Sequence, residues 1–230
     1  EYDLVYVAPE RFRNPRFIRE ISACELALFA IDEAHCISKW GHDFRPDYGR
    51  LGEVISMLNP KRILACTATA TPEVRADIAQ TLGGGEVSVH VAGFLRDNLS
   101  LSARMCRGDG DREKRLTAFL ESPICREGGV IVYASTRRRV DRFAAVCAKL
   151  LGEDSVVAYH AGLTDDQREN AQNAFMDGRA RIAVATNAFG MGIDRSDIRG
   201  VVHIDLPRSV EGYYQEVGRA GRDRCPAECL

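Results

Sequence analysis

"FAIDEAHCISKWGHDFRPDYGRLG", residues 29–52, is the stretch on which the fold turns. An apolar run that starts at Leu26 (LALFAI) stops abruptly at Asp32-Glu33-Ala34-His35. Trp40, His42, Phe44, Arg45 and Tyr48 follow, with Gly41 and Pro46 among them. A short, near-continuous apolar run of this kind suits a strand of a parallel sheet covered on both faces. Open parallel sheets bind ligands beyond the carboxyl ends of their strands, and here two carboxylates stand at that end. The first suits Mg²⁺ held through water, because magnesium prefers hard oxygen ligands. The second can take a proton from an attacking water. Acidic residues also suit a helix N-terminus, so the pair carries weight only through its company.

Other apolar runs predict strands at 3–8, 26–31, 62–66, 87–91, 129–133, 155–159, 181–185 and 200–204. Helical stretches lie between them with their own punctuation. Thr71-Pro72 reads as an N-cap with Pro at the first helical position, and Gly83 closes that helix. Thr164 with Gln167 reads as a capping box, and Gly178 follows the last turn. After Pro46, Leu51, Ile55 and Leu58 share a helical face. This alternation predicts an α/β, doubly wound architecture. The composition break at 82–99, with Gly83-Gly84-Gly85, places a boundary near 92–96, giving domains 1–93 and 94–230. Three or four strands are expected in the first and about five in the second, so the first reads as truncated at its N-terminus. The opening "EYDLVYVAPE" reads as an excised piece of a longer protein.

The chain has 230 residues, a net charge of −2 and 45% hydrophobic residues, enough to bury a core. No run approaches the roughly 20 apolar residues of a membrane span. Only four of the 31 basic residues are Lys. Arg clusters at 11, 13, 16 and 19 and at 137, 138, 139 and 142 offer forks for phosphate or, equally, solvated helix faces. The eight Cys form no CxxC, and Cys66 and Cys147 in apolar runs read as buried free thiols. A zinc reading of His35, Cys36 and His42 fails for want of a fourth ligand and the usual spacing.

Three further signals accompany the carboxylates. "CTATATP" (66–72) places the hydroxyls of Thr67 and Thr69 after a strand, within reach of the Asp-Glu-Ala-His loop. "ATNAFGMGIDR" (185–195) places a glycine-rich turn after another. "YYQEVGRAGRD" (213–223) ends in Arg219 and Arg222, three apart and on one side if helical. Two Arg beside glycines supply the charge, fork and close backbone approach that a γ-phosphate clamp needs.

In this order and spacing the motifs resemble the RecQ family of superfamily-two DNA helicases across essentially the whole chain. Asp32-Glu33-Ala34-His35 resembles motif II, Thr67-Ala68-Thr69 motif III, "YVAPERF" (6–12) motif Ib and "VYASTRRRVD" (132–141) motif IV. "YHAGL" (159–163), "ATNAFGMGIDR" and "QEVGRAGRD" are similar to motifs IVa, V and VI. "SKWGHDFRPDYGRLG" resembles the aromatic-rich loop of that family. The D-E-A-D, S-A-T and H-R-x-G-R-x-G-R forms of DEAD-box RNA helicases are absent from the sequence.

The resemblance implies two RecA-like parallel-sheet lobes with ATP and Mg²⁺ between them and single-stranded DNA across their surface. Asp32 would order magnesium and Glu33 activate water, and His35 would couple that site to the loop. Arg222 would be the arginine finger, beside Arg219 and Gln215. Gly192 and Asp194 would lie on the nucleotide side. Pro9, Glu10, Arg11, Ser135, Arg137, His160 and Thr186 would follow the DNA. Thr67 and Thr69 would couple the sites. Trp40, Phe44 and Arg45 would sense DNA, with stacking worth about 1–3 kcal/mol per base, unless the two rings plug the core. The family further implies 3′-to-5′ unwinding of duplex junctions in DNA repair and recombination, by a monomeric motor in the bacterial cytoplasm or the eukaryotic nucleus. Zinc would belong only to a module downstream.

The chain departs from the family in one major respect. No Gly is followed by Lys anywhere, so the phosphate-cradling G-x-x-x-x-G-K-[ST] loop is not among these residues. The 230 residues alone are therefore expected to hydrolyse ATP barely or not at all. Asp97 also stands where the family usually has Pro, and motif V ends in "GIDR". Two alternatives remain: a non-catalytic nucleic-acid-binding protein that kept the lobes, and another superfamily-two motor acting on RNA or chromatin.

Overall fold

Val130-Ile131-Val132 and Ile182-Ala183-Val184 are wholly buried in adjacent parallel strands, as their unbroken apolar runs require. In a computed structural model that describes residues 2–41, 43–83, 87–93, 95–190 and 192–230, the chain forms two compact units, Glu1–Ala92 and Gly93–Leu230. Each is described by itself below. Among the described residues no helix is long and apolar enough to cross a membrane.

The second unit is built on a six-stranded parallel sheet. Its strands are β3 (Leu99–Leu101), β4 (Gly129–Tyr133), β5 (Val156–Tyr159), β6 (Ile182–Ala185), β7 (Ile198–His203) and β8 (Ala227–Cys229), in spatial order β3-β8-β7-β4-β6-β5. Helices α5 (Asp109–Leu120), α6 (Arg137–Leu151), α7 (Asp165–Met176) and α8 (Val210–Val217) connect them. Two apolar layers cover the sheet. Leu116, Val140, Phe143 and Cys147 pack with Val130 and Val132 on one face. Phe175, Phe189, Val217 and Ala220 pack with Ile131 and Val201 on the other. The predicted caps form: the Thr164 hydroxyl accepts from the Gln167 amide and the Gln167 side chain accepts from the Thr164 amide.

The first unit carries two parallel strands, β1 (Phe29–Ile31) and β2 (Ile63–Ala65), with α1 (Pro15–Ser22), α2 (Pro46–Gly49), α3 (Leu51–Leu58) and α4 (Pro72–Leu82). Leu51, Val54, Ile55 and Leu58 of α3 pack against Val74, Ile78 and Leu82 of α4, with Phe12 and Ile31. The Thr71 hydroxyl caps α4 by accepting from the Val74 amide.

Several expectations are corrected. Residues 3–8 and 87–91 are not strands, so the division is two strands and six rather than three or four and about five. Their composition suits a strand, but a strand also needs a neighbour's backbone and a cover for its side chains. Tyr6, Val87, Val89 and Val91 are instead exposed. β3 lies where a new strand–helix series is expected to start, near Leu99, whereas β8 was missed because three residues with Glu228 at their centre leave no apolar run; it forms by pairing with β3 and β7. Cys147 is buried as expected, but Cys66 is exposed. Gly84 and Gly85 of the glycine triplet lie outside the described residues, as does His42 of the rejected zinc reading.

Gly200 in β7 shows how closely the second unit is packed. A Cβ there would meet the Phe119 ring at 2.7 Å and Cys125 Sγ at 2.9 Å. Gly200→Ala is expected to destabilise the chain by about 1–3 kcal/mol through overpacking, read as a lowered thermal midpoint; an unchanged midpoint would contradict this packing.

Candidate functional site

All strands of each sheet are parallel, so the loops after them leave from one edge. Asp32 follows β1, Thr67 follows β2, Ser135 follows β4, His160 follows β5, Thr186 follows β6 and Asp205 follows β7. Parallel pairing has thus collected, unit by unit, most of the chemistry the sequence singled out.

In the first unit the chain turns sharply after β1. Glu33 takes a left-handed conformation, φ 50° and ψ 43°, which is costly for a residue with a side chain and recurs at functional sites. The Glu33 amide donates to Asp32 Oδ1 at 2.8 Å, which holds that exposed carboxylate in one orientation, suited to a hydrated cation. The turn sends residues 34–38 inward, where Ala34, His35, Cys36, Ile37 and Ser38 are all buried. His35 Nδ1 lies 2.9 Å from Thr67 Oγ1 and 3.3 Å from Glu33 Oε2. Thr67 Oγ1 also lies 3.3 Å from the Thr69 carbonyl, to which its hydroxyl donates, and accepts from the Thr69 amide. The Nδ1 side of the ring thus faces both the Thr67 hydroxyl and the Glu33 carboxylate. His35 therefore joins the carboxylate turn to the segment after β2.

The aromatic loop grows from the same turn. Gly41 is required there: a Cβ would lie 2.6 Å from the His35 carbonyl oxygen. Trp40 is 81% exposed and Phe44 37% exposed, so the reading of both rings as core plugs fails. Phe44 rests over Gly49. Arg45 donates to Asp43 Oδ2 at 2.7 and 3.2 Å and stands 6.0 Å from the Tyr48 ring centroid. Pro9, Glu10 and Arg11 form a 3₁₀ turn, Pro9–Arg13, anchored by buried Phe12. Arg11 lies over Phe17, while Arg13 is taken up by Asp47 and Arg16 by Glu20.

In the second unit the Arg-rich start of α6 divides. Arg139 and Arg142 pair with Asp109, Asp205 and Glu113, whereas Arg137 and Arg138 enter no ion pair among the described residues. Asp205 is buried in part, which opposes its ionisation. The Ser135 amide and hydroxyl and the Arg139 charge outweigh this and hold its carboxyl below the usual range. Ser135 is thereby held in place while remaining exposed. His160, expected along the DNA, is 7% exposed and engaged at both nitrogens. Nδ1 accepts from the Gly162 amide at 3.1 Å, so Nε2–H donates to Asp141 at 3.0 Å. Its part is to position Gly162, against which the Arg137 stem packs. Thr186 opens the turn closed by the Phe189 amide.

The two motif VI arginines do not share a helical face. Helix α8, which carries Gln215, ends at Val217, and the chain runs on in turns through Gly221 at φ 56°. Arg219 turns inward and donates to the Gly190 carbonyl, so it braces the glycine-rich turn that leads to Gly192 at φ 81°. Arg222 turns outward, 38% exposed, and pairs with Asp194, itself 82% exposed. Of the two, Arg222 is the more exposed. Arg195 of "GIDR" is structural: it donates to the Phe175 and Ala180 carbonyls and pairs with Asp197.

The sequence reading overlooked two residues that hold this segment. Arg96 donates to the Gly218 and Gly221 carbonyls, and Asn98 Nδ2 donates to those of Gly221 and Cys225 at 2.8 and 2.9 Å. A Cβ at Gly221 would lie 2.4 Å from Asn98 Nδ2. Side chains over 120 positions away leave no local signal; the polar pair beside the composition break was the only hint. Asp223 closes the segment by pairing with Arg199 and accepting from the Cys225 amide. Its bond to Arg199 pulls its carboxyl down to about 2. An unfolded Asp titrates near about 3.9, so this contribution is present above about pH 4 and is lost as pH falls towards 2. In thermal melts Asp223→Asn is expected to lie below the parent at about pH 5, with the gap closing towards about pH 2; a gap independent of pH contradicts the assignment.

The family models agree with this site. Residues 1–78 match the DEAD/DEAH box helicase model and residues 111–224 the helicase conserved C-terminal domain model. The chain is 42% identical to the ATP-dependent DNA helicase RecQ of Bacillus subtilis (strain 168), covering 100% of the chain and 38% of that protein. With RecQ of Pasteurella multocida (strain Pm70) it shares 43% identity, covering 99% and 35%. It thus spans a little over a third of the length of these relatives. Among solved structures, Mycobacterium smegmatis helicase Lhr bound to ssDNA and AMP-PNP aligns with a TM-score of 0.67 at 22% identity, over 93% of this chain and 29% of that one. The helicase MrfA bound to DNA and AMPPNP aligns at 0.69 and 18%, over 96% and 33%. At such identities these two bear on the fold alone, which is RecA-like. Order of motifs, strand-end geometry and identity along the whole chain converge: the protein belongs to the RecQ family of superfamily-two helicases and carries part of its motor core.

Proposed function

We propose that this chain serves, within a longer protein, as part of a motor that couples ATP hydrolysis to 3′-to-5′ translocation on single-stranded DNA and to unwinding of duplex junctions. The observation that carries the reading is the shared anchorage of two features on one turn. The Asp32-Glu33 carboxylates and the exposed Trp40 loop leave the same left-handed turn after β1, and His35 lies between them. A change at Trp40 can therefore reach the carboxylates through a few buried atoms.

In this proposal Asp32 orders a hydrated Mg²⁺, which supplies charge neutralisation at the phosphates when bound. Glu33 takes the proton of the attacking water, and Arg222 meets the charge on the terminal phosphate. The hydrated Arg222–Asp194 pair is a modest competitor for that arginine, because half-exposed ion pairs contribute little. Arg219 and Gly192 shape the glycine-rich turn, with Gln215 on the helix before it. Trp40 and Phe44 stack on bases, and Arg11, Arg45 and Arg137 face the DNA backbone.

Two experiments test this. In the longer protein, Trp40→Ala is expected to lower DNA-stimulated ATPase at least roughly tenfold, consistent with about 1–3 kcal/mol of lost stacking, while nucleotide binding stays unchanged. Unaltered stimulation would sink the coupling role. The 230-residue chain by itself is expected to show negligible DNA-stimulated hydrolysis, since its sequence holds no G-x-x-x-x-G-K-[ST] loop. Robust turnover would overturn that.

A further inference from the structure

The buried side of the carboxylate turn holds a group of donors that the hydrolytic role does not use. His35, Cys36 and Asp43 bring one ligand atom each to within 4.8 Å of one another. His35 Nε2 lies 3.7 Å from Cys36 Sγ, and Cys36 Sγ lies 3.8 Å from Asp43 Oδ2. A tetrahedral zinc ion with bonds of about 2.3 Å to sulfur and about 2.0–2.2 Å to nitrogen and oxygen holds such atoms roughly 3.5–3.6 Å apart. The two spacings to the sulfur exceed that by only a few tenths of an ångström, and the third, from the ring nitrogen to the carboxylate oxygen, lies within 4.8 Å and closes by a shift of the half-exposed Asp43. The third donor could not be found from spacing alone: Asp43 lies seven residues after Cys36 and returns to it because the loop folds back, the Arg45 amide donating to the Cys36 carbonyl at 3.0 Å.

We propose that His35, Cys36 and Asp43 form a three-ligand site for a thiophilic divalent cation of the zinc class, its fourth position filled by water. The donor set excludes magnesium, which demands hard oxygens. His35 is oriented as a ligand: Nδ1 lies 2.9 Å from Thr67 Oγ1, which fixes the ring and turns Nε2 to the sulfur at 3.7 Å, the arrangement that outer partners impose on metal-bound histidines. The Cys36 thiol is buried, and zinc displaces a thiol proton on binding whereas a hard cation does not. Asp43, with its side chain 47% exposed, is the entrance.

Occupancy has a mechanical consequence. The ion would share Asp43 Oδ2, the oxygen that now accepts from Arg45. It would thus tie the far end of the aromatic loop to His35 and release the Arg45 guanidinium. Binding itself does not depend on the helicase reading and is tested apart from it.

The test is titration of the purified, reduced chain with Co²⁺ alone, followed by absorption. Binding at about one equivalent with a thiolate-to-cobalt charge-transfer band, displaced by Zn²⁺, is the expected result. Cys36→Ser should abolish the band while the other seven cysteines remain, and Asp43→Asn should weaken binding roughly tenfold or more. A band that survives in Cys36→Ser, or no band from the folded parent, overturns the proposal. Should Cys36→Ser fail to fold by circular dichroism, Asp43→Asn decides: cobalt affinity equal to the parent's overturns it.

Discussion

Parallel strand pairing is the constraint from which the rest of this molecule follows. A parallel ladder gives every strand the same direction, so every strand delivers its following residue to the same edge of the sheet. In the second unit β4 pairs with β6 and β7 on its two sides, and Ser135, Thr186 and Asp205 leave side by side. In the first unit β1 and β2 do the same for Asp32 and Thr67. The price of that order is the burial of the central strands, which explains why their sequence carries no polar residue from Val130 to Val132 or from Ile182 to Ala185.

The arginines show how little a residue type decides alone. Sequence clusters look like phosphate forks, yet four of their eight members, Arg13, Arg16, Arg139 and Arg142, pair with carboxylates of their own unit, and arginines outside the clusters are engaged likewise. Arg13, Arg139, Arg142, Arg195 and Arg199 face carboxylates, and Arg219 faces a carbonyl. What separates Arg222 from Arg219, three positions earlier, is a left-handed glycine between them and the end of α8 at Val217. The chain reverses there, and one guanidinium faces in while the other faces out. Arg96 and Asn98 hold that reversal from the beginning of the unit.

The turn after β1 has a similar economy. A single left-handed residue, Glu33, lets the backbone present two carboxylates outward and then carry His35 and Cys36 inward. The carboxylates proposed for hydrolysis, the His35–Thr67 contact and the proposed donor set of His35, Cys36 and Asp43 then lie within a few residues of one another. His35 faces two of these with its two nitrogens, Nδ1 towards Thr67 and Nε2 towards Cys36.

Much of this was legible in the residues themselves. Unbroken apolar runs, caps and motif order determined an α/β fold of parallel sheets, the helix boundaries at Thr71 and Thr164, and the family, because these depend on local composition and on spacing along the chain. Tertiary structure alone decided which apolar runs became strands: residues 3–8 and 87–91 have the composition without a partner, while β8 has partners without the composition. It alone turned Arg219 inward, buried His160 and folded Asp43 back onto Cys36. The physical reason is common to all of these. Pairing, burial and ligand geometry belong to residues brought together through space, and a sequence records only neighbours along the backbone.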